Sequence, residues 1–428
     1  MRKAFAAGVL ALAAVTAMAV ARPAAPHWVA SWATALMISD GANYLPPEQL
    51  SHATLRQSVR LSTGGKAYRL VLSNLFGTEP LHLAAVHVAK ALPFNAAAPG
   101  AIDATSDRVL TFSGKTDVTI PVGAAYTSDP VAIPVAAFAD LAISILYDTA
   151  PVIETGHPGS RQTSYILAGD HTADAVLTGA AGADHWYQIA SVEVLSAPQT
   201  GAIAVLGDSI TDGRGSTTNG NDRWTNIMAS ALNPAKAGKG RAVLNAGIGG
   251  NCVLVVCLGP TALTRFDREV LEPAGVNTFI VYEGVNDLGR LTINHPVPSA
   301  EHEALVAHLI EGFQQMAIKA KAHGLKSYIA TILPFGASAY YHPDAANEAD
   351  RSALNGWIRS QKLFDGVIDF DAVMKDPSHP ERLNPAYDTD GLHANAAGYV
   401  VMGTAAAKAL GAKIKASHAK VAARGKKS

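Results

Sequence analysis

From Gly201 onward, short apolar runs alternate with longer helical stretches, and this alternation is the tightest constraint on the fold. The runs at 202–206, 242–245, 278–282, 327–333 and 367–370 predict strands. The stretches at 221–232, 300–323, 345–362 and 396–410 predict helices. Continuous apolar strands separated by helices imply a parallel sheet covered on both faces. The right-handedness of such crossovers then brings the loops that follow the strands to one sheet edge, where open α/β sheets keep their ligands. An α/β domain over 201–410 is the expectation.

Residues 27–197 read differently. The segments 58–62 and 68–73 alternate around Gly64-Gly65 and predict a hairpin. Further strand-like runs at 84–89, 108–112, 117–122, 132–135 and 141–147 are separated by turn residues, with no helical period of useful length. Together they predict an all-β sandwich, jelly-roll-like in outline. Trp28 and Trp32, four apart, read as core packing, with a sugar-stacking platform as the alternative. Ser196-Ala197-Pro198-Gln199-Thr200-Gly201 marks the boundary between the halves.

The two ends carry address information. Met1-Arg2-Lys3 and the apolar run 4–20 have the pattern of a signal peptide over 1–21, with Ala17-Met18-Ala19 or Ala19-Val20-Ala21 at the cleavage site. The run is short and alanine-rich, and polar sequence follows, so stable membrane insertion is not expected. The expected location is secreted or periplasmic. The formal charge of −1 hides seven Lys and Arg from Lys408 onward; without these and the leader's Arg2 and Lys3 the body carries −10. An acidic body argues against nucleic acid as a partner, and the basic tail over 411–428 reads as a solvated, disordered end. The only two cysteines, Cys252 and Cys257, share one loop. In an exported protein they predict a disulfide, the alternative being two separate thiols. Without spaced histidines they cannot complete a zinc site, and neither metal nor cofactor is expected.

Four loops at the sheet edge carry residues that chemistry can use. Ser209 follows the first strand in Gly207-Asp208-Ser209-Ile210-Thr211-Asp212-Gly213. A serine hydroxyl needs a base to take its proton, and His393 suits that at neutral pH. Asp390, three residues ahead, can orient the imidazole and stabilise its charged form. Acyl transfer also needs donors for the developing oxyanion. The Ser209 and Gly250 backbone N–H groups and the Asn286 side-chain amide qualify, glycine letting the backbone approach a substrate. Taken singly, each of these is ordinary turn, cap or surface chemistry; four of them in order along one sheet edge are not.

These blocks, Gly207-Asp208-Ser209-Ile210, Asn245-Ala246-Gly247-Ile248-Gly249-Gly250-Asn251, Gly284-Val285-Asn286-Asp287 and Asp390-Gly391-Leu392-His393, resemble those of the SGNH, or GDSL-type, hydrolases. The resemblance spans 201–410. It implies a flavodoxin-like α/β/α domain, with Ser209 as nucleophile, His393 as base and Asp390 as its orienter. It implies Ser209, Gly250 and Asn286 as the oxyanion donors. The doubled glycine leaves 249 or 250 open as donor, and alignment from Asn245 favours 250. Ile210 stands where the family name has leucine. A β-rich half ahead of such a domain is also similar in layout to some exported carbohydrate esterases.

Other motifs are set aside. His302 and His308 are six apart and cannot clamp zinc together, so they read as a polar helix face. Gly213-Arg214-Gly215 lacks the continuation of a dinucleotide loop. Arg223 and Trp224 read as capping and packing the first helix. The expectation is a secreted serine esterase acting on short-chain esters of small molecules or polysaccharides, first of all O-acetyl groups on carbohydrate. A lipase or arylesterase is second, and a non-catalytic glycan-binding protein third.

Overall fold

The computed structural model describes residues 25–233 and 240–412. The expected leader over 1–21 and the basic tail from 413 lie outside the described residues.

Fourteen strands precede residue 200 among the described residues. They are β1 (His27–Ala33), β2 (Met37–Ser39), β3 (Ala53–Arg60), β4 (Tyr68–Ser73), β5 (Leu81–Ala91), β6 (Ile102–Val109) and β7 (Val118–Ile120), then β8 (Ala125–Thr127), β9 (Asp140–Tyr147), β10 (Glu154–His157), β11 (Ser164–Ala168), β12 (Ala181–Ala183), β13 (Trp186–Tyr187) and β14 (Ile189–Ser196). They form sheets ordered β1-β14-β4-β8 and β12-β11-β3-β9-β5-β6, with β7 also on β5, and a small sheet β13-β10-β2. Leu70, Leu72, Val192 and Val194 of the first sheet share one apolar core with Leu55, Val59, Ile143 and Ile145 of the second. Two antiparallel sheets closed over a common core are a β-sandwich.

The expected hairpin around Gly64-Gly65 does not form. β3 pairs with β9 and β11, whereas β4 pairs with β14 and β8 in the opposite sheet. The Gly65 N–H donates to Val135 O at 3.0 Å, and the Val135 N–H returns to Gly65 O at 2.9 Å. These residues therefore cross between sheets, and alternation alone cannot tell a crossover from a turn. Trp32 packs edge-on against Trp186 in the core. Trp28 lies under the Arg69 guanidinium, 4.4 Å from the ring centre.

The second half contains β15 (Gly201–Gly207), β16 (Arg241–Gly247), β17 (Val276–Tyr282), β18 (Lys326–Ala330) and β19 (Gly366–Ile368). They are parallel and ordered β16-β15-β17-β18-β19. β15 is buried along its whole length, as its unbroken apolar run requires. Gly207 lies level with Gly247 on one side and Tyr282 on the other, so three strands end together at the point where the strand order reverses.

The helices are α1 (Pro47–Leu50), α2 (Ser209–Asp212), α3 (Trp224–Leu232), α4 (Ala262–Phe266), α5 (Val285–Leu291), α6 (Ser299–Ala322), α7 (Ala345–Ser360), α8 (Phe370–Met374) and α9 (Ala396–Ala409). α3 packs on α9, and α6 on α7. The helix expected from 221 starts only at Trp224, because Asn221 is left-handed with φ +50°. The strand expected to reach Phe370 stops at Ile368, where Asp369 accepts the Ala372 N–H and caps α8. Among the described residues no helix is long and apolar enough to cross a membrane.

The two halves meet along β1. Val29 and Ala30 of β1 pack with Ala202, Ala242 and Leu244 of the parallel sheet, and the Ala30 N–H donates to Ala274 O at 2.8 Å.

Candidate active site

The chain leaves β15 through Asp208, which accepts the Ile210 N–H at 2.9 Å and so caps α2. Ser209 is the first residue of α2, and its N–H has no preceding turn to bond. The Ser209 hydroxyl donates to His393 Nε2 at 2.8 Å. His393 Nδ1 lies 2.8 Å from Asp390 Oδ2 and 3.1 Å from Oδ1. A carboxylate only accepts, so the Nδ1 proton points at Asp390 and Nε2 is left to accept from Ser209. Asp390 also accepts the backbone N–H groups of His393 and Leu392. Burial raises its pKa, but the bonds from His393 outweigh this and hold it well below the usual carboxylate range.

The oxyanion donors expected from the sequence lie on the same cavity. Asn286 is buried; its Nδ2 donates to Asn251 O at 2.7 Å and its Oδ1 accepts the Tyr341 O–H at 2.6 Å. One amide N–H remains outside these bonds. Gly250 sits at φ +68°, and a Cβ there would lie 2.7 Å from Leu258 Cδ1, so only glycine fits. The loop after it is closed by a Cys252–Cys257 disulfide. The loop is also tied to α5, because Asp287 accepts the Val253 and Leu254 N–H groups at 2.9 and 3.1 Å.

Behind Ser209 lies a polar network that sequence reasoning missed. Arg265 on α4 is fully buried. It donates to Gly207 O at 2.8 Å, Glu283 Oε1 at 3.0 Å and Asn251 Oδ1 at 3.0 Å, and also to Ala246 O and Glu269. One guanidinium thus ties together the carboxyl ends of β15, β16 and β17. Burial, with help from Asp287 and Asp212, pushes the Asp208 carboxyl up to about 7. Burial likewise pushes Asp287 up to about 6 and Glu283 well above its ordinary value.

The sandwich supplies the facing wall, also unforeseen. The His157 side chain spans Ala35 O, 2.7 Å from Nδ1, and Asp212 Oδ1, 3.0 Å from Nε2. Gly159 lies so close to α2 that a Cβ would meet Asp212 Oδ2 at 1.8 Å. Arg223 stands at the N-cap of α3 without capping it; its guanidinium donates instead to Asp212 O at 2.8 Å and to Ser160 O. Trp224 packs against Tyr282 and Phe370, as expected. His302 is not on a polar face but buried, bonded through Nδ1 to Asp350 on α7.

Ser209, His393, Asp390, Asn286 and Gly250 open onto one cavity of about 680 Å³ whose far side holds Met37, Asn43 and Arg161 of the sandwich. A hydroxyl bonded to an imidazole, itself bonded to a carboxylate and flanked by free N–H donors, can form and stabilise a tetrahedral adduct on a carbonyl carbon.

Residues 205–401 match the GDSL-like Lipase/Acylhydrolase family. No curated protein matches the chain. Similar solved structures include an acetyl xylan esterase, 19% identical, covering 49% of this chain and 99% of that one with a TM-score of 0.37. A carbohydrate acetylesterase from Sinorhizobium meliloti is 16% identical, covering 50% of this chain and 100% of that one with a TM-score of 0.36. A GDSL-like lipase from Bacteroides thetaiotaomicron is 18% identical, covering 49% of this chain and 87% of that one with a TM-score of 0.35. Residues 205–401 are thus a GDSL-like lipase/acylhydrolase domain, that of a carboxylic ester hydrolase.

Proposed function

We propose that Ser209 is the nucleophile of an exported short-chain esterase that works through an acyl-enzyme, with O-acetylated carbohydrate as its first substrate class. The observation that carries the catalytic roles is the unbroken chain from the Ser209 hydroxyl through the His393 imidazole to Asp390, with a 2.8 Å contact at each link. His393 Nε2 takes the hydroxyl proton as Oγ bonds to the ester carbon. The oxyanion then accepts from the Ser209 and Gly250 N–H groups and the remaining Asn286 amide N–H, each worth about 3–4 kcal/mol in comparable sites. Collapse breaks the bond to the alcohol, which leaves with the proton from Nε2. Water repeats the sequence on the acyl-enzyme, and Asp390 balances the imidazolium in both steps.

A cavity of about 680 Å³ exceeds what an acetyl group needs, and its mixed lining of Asn43, Arg161, Leu258 and Tyr340 supports an alcohol of sugar size. The second reading is lipase-like. It is favoured by Val255, Val256 and Leu258, exposed in or beside the disulfide loop, of which Leu258 lines the cavity. Export is supported by the leader pattern over 1–21 and by the disulfide.

Hydrolysis of p-nitrophenyl acetate against the octanoate ester, with Ser209→Ala as control, tests the reading. Acetate is expected to be preferred, and the variant to lose a factor on the order of 10⁴ or more in kcat. Acetate release from acetylated xylan follows as the next assay. Octanoate preference would move the assignment to the lipase-like reading, and turnover that survives in Ser209→Ala would remove the proposed nucleophile.

A further inference from the structure

We propose that Arg161, delivered from the sandwich, is an anion-binding residue of the active site, so that preferred substrates carry a carboxylate close to the scissile ester; this rests on the esterase reading above. Arg161 follows β10 in a left-handed conformation, φ +49°, that a non-glycine residue holds only when its surroundings impose it. Its backbone is fixed: Arg161 O accepts the Asn219 N–H at 2.9 Å, and Gly159 two residues earlier presses against Asp212. Its Nε is nonetheless buried without a hydrogen-bond partner. One Nη comes only within 3.5 Å of Asp212 Oδ2, and the other oxygen of that carboxylate already accepts from His157. Arg161 thus lines the cavity with a fixed backbone, a partly exposed side chain and one long ion-pair contact, so its Nη groups can take a ligand there.

The charges around the cavity point the same way. Its cations are Arg161, Arg214 and Arg290; its acids are Asp40, Asp212 and Asp390. Asp390 is taken by His393 and Asp212 by His157. Neither Arg214 nor Arg290 has a carboxylate within ion-pair distance among the described residues. Asp40 and Asp212, the latter shared between His157 and Arg161, thus face three guanidinium groups, in a chain whose body is acidic. The planar fork of arginine matches a carboxylate with two parallel bonds, and a partly enclosed cavity strengthens the attraction.

The carboxylate could sit on either side of the ester. 4-Acetoxybenzoate places it on the alcohol, with phenyl acetate as neutral counterpart; p-nitrophenyl hemisuccinate places it on the acyl group, with p-nitrophenyl butyrate as counterpart. The quantity read is the charged-over-neutral ratio of kcat/KM, normalised to alkaline hydrolysis. In the full chain this ratio is expected to exceed one in one arm. In Arg161→Gln it should fall by about tenfold, as loss of a charge-assisted bond predicts, mainly through KM. Arg161→Lys should keep part of the preference, and benzoate should inhibit the parent competitively, which requires no variant to fold. An unchanged ratio in Arg161→Gln, or Ser209-dependent turnover of the neutral esters with no charged preference in either arm, overturns the anion site and leaves the esterase reading standing. No Ser209-dependent turnover of any ester overturns both.

Discussion

The two walls of the cavity are built in different ways. On the parallel-sheet side, Ser209, Gly250, Asn286 and the Asp390–His393 loop are fixed by bonds within their own half, at 2.6–3.1 Å for the side-chain contacts. On the sandwich side, one strand end and its loop reach over α2, and a buried His157–Asp212 pair is the central tie. The His157 ring bridges Ala35 O and the Asp212 carboxyl through its two nitrogens. The candidate site is therefore held locally at the sheet edge, while the seating of the far end of α2 is borrowed from the other half.

Removing His157 is the sharpest way to break this comparison. Asp212 closes the four-residue helix that Ser209 opens, so a shift at one end is felt at the other. His157→Ala leaves a buried carboxylate without its partner, at a cost of about 3–5 kcal/mol. It is expected to lower kcat on p-nitrophenyl acetate by about 10²-fold, the loss a displacement near 1 Å can bring. His302→Ala serves as the matched control: it breaks a comparably buried pair with Asp350, away from the cavity lining. It should destabilise similarly in urea unfolding yet leave kcat within about threefold of the parent. Equal kcat losses in the two variants would mean that His157 acts through stability alone.

The same contrast explains what the sequence could disclose. Ser209, Gly250, Asn286, Asp390 and His393 were legible because strand–helix alternation sends the loops after the strands to one edge, and each loop holds a distinctive residue group. His157 and Arg161 were not, since their partner Asp212 is about fifty residues away in the chain and in a different architecture. Nothing in Gly156-His157-Pro158 marks a partner. Arg265 was silent for a related reason: backbone carbonyls, which any sequence supplies, make up two of its acceptors. His302 looked like a helix face because periodicity cannot see Asp350 on a neighbouring helix. The Gly64-Gly65 crossover failed likewise, its deciding bonds running to Val135. Local periodicity finds elements and their ends; partners across the core remain invisible to it.

The buried acids behind Ser209 sharpen the comparison from the parallel-sheet side. Asp208 stands at about 7, against 3.8 for an exposed carboxyl, first because it is buried. Between those values the native protein holds a proton that the unfolded chain has released, so stability falls as pH rises through this window and levels off above it. Asp208→Asn keeps an acceptor for the Ile210 N–H and removes the titration. Relative to the parent, the variant should gain about 2 kcal/mol between pH 5 and pH 8 in urea unfolding. Asp287, at about 6, leaves a residual slope in both proteins. A difference that does not change with pH would show that Arg265 neutralises Asp208 in the fold.

The smallest effect is expected at the disulfide, the feature beside the site most open to view in the sequence. Cys252→Ser with Cys257→Ser opens a loop whose ends are five positions apart, and closing so short a loop is worth about 2 kcal/mol at most. Gly250 does not depend on the bridge alone. Asn251 Nδ2 donates to Leu258 O at 2.7 Å and to Pro260 O at 2.8 Å, while Asp287 holds Val253 and Leu254. These bonds are expected to hold Gly250 at the cavity wall when the sulfurs are gone. The double variant should therefore retain kcat for p-nitrophenyl acetate within about threefold while losing up to 2 kcal/mol in unfolding, in line with a short cross-link. A collapse of kcat with stability intact would instead make the disulfide the device that places an oxyanion donor, and the parallel-sheet wall would then depend on a covalent tie as the sandwich wall depends on His157.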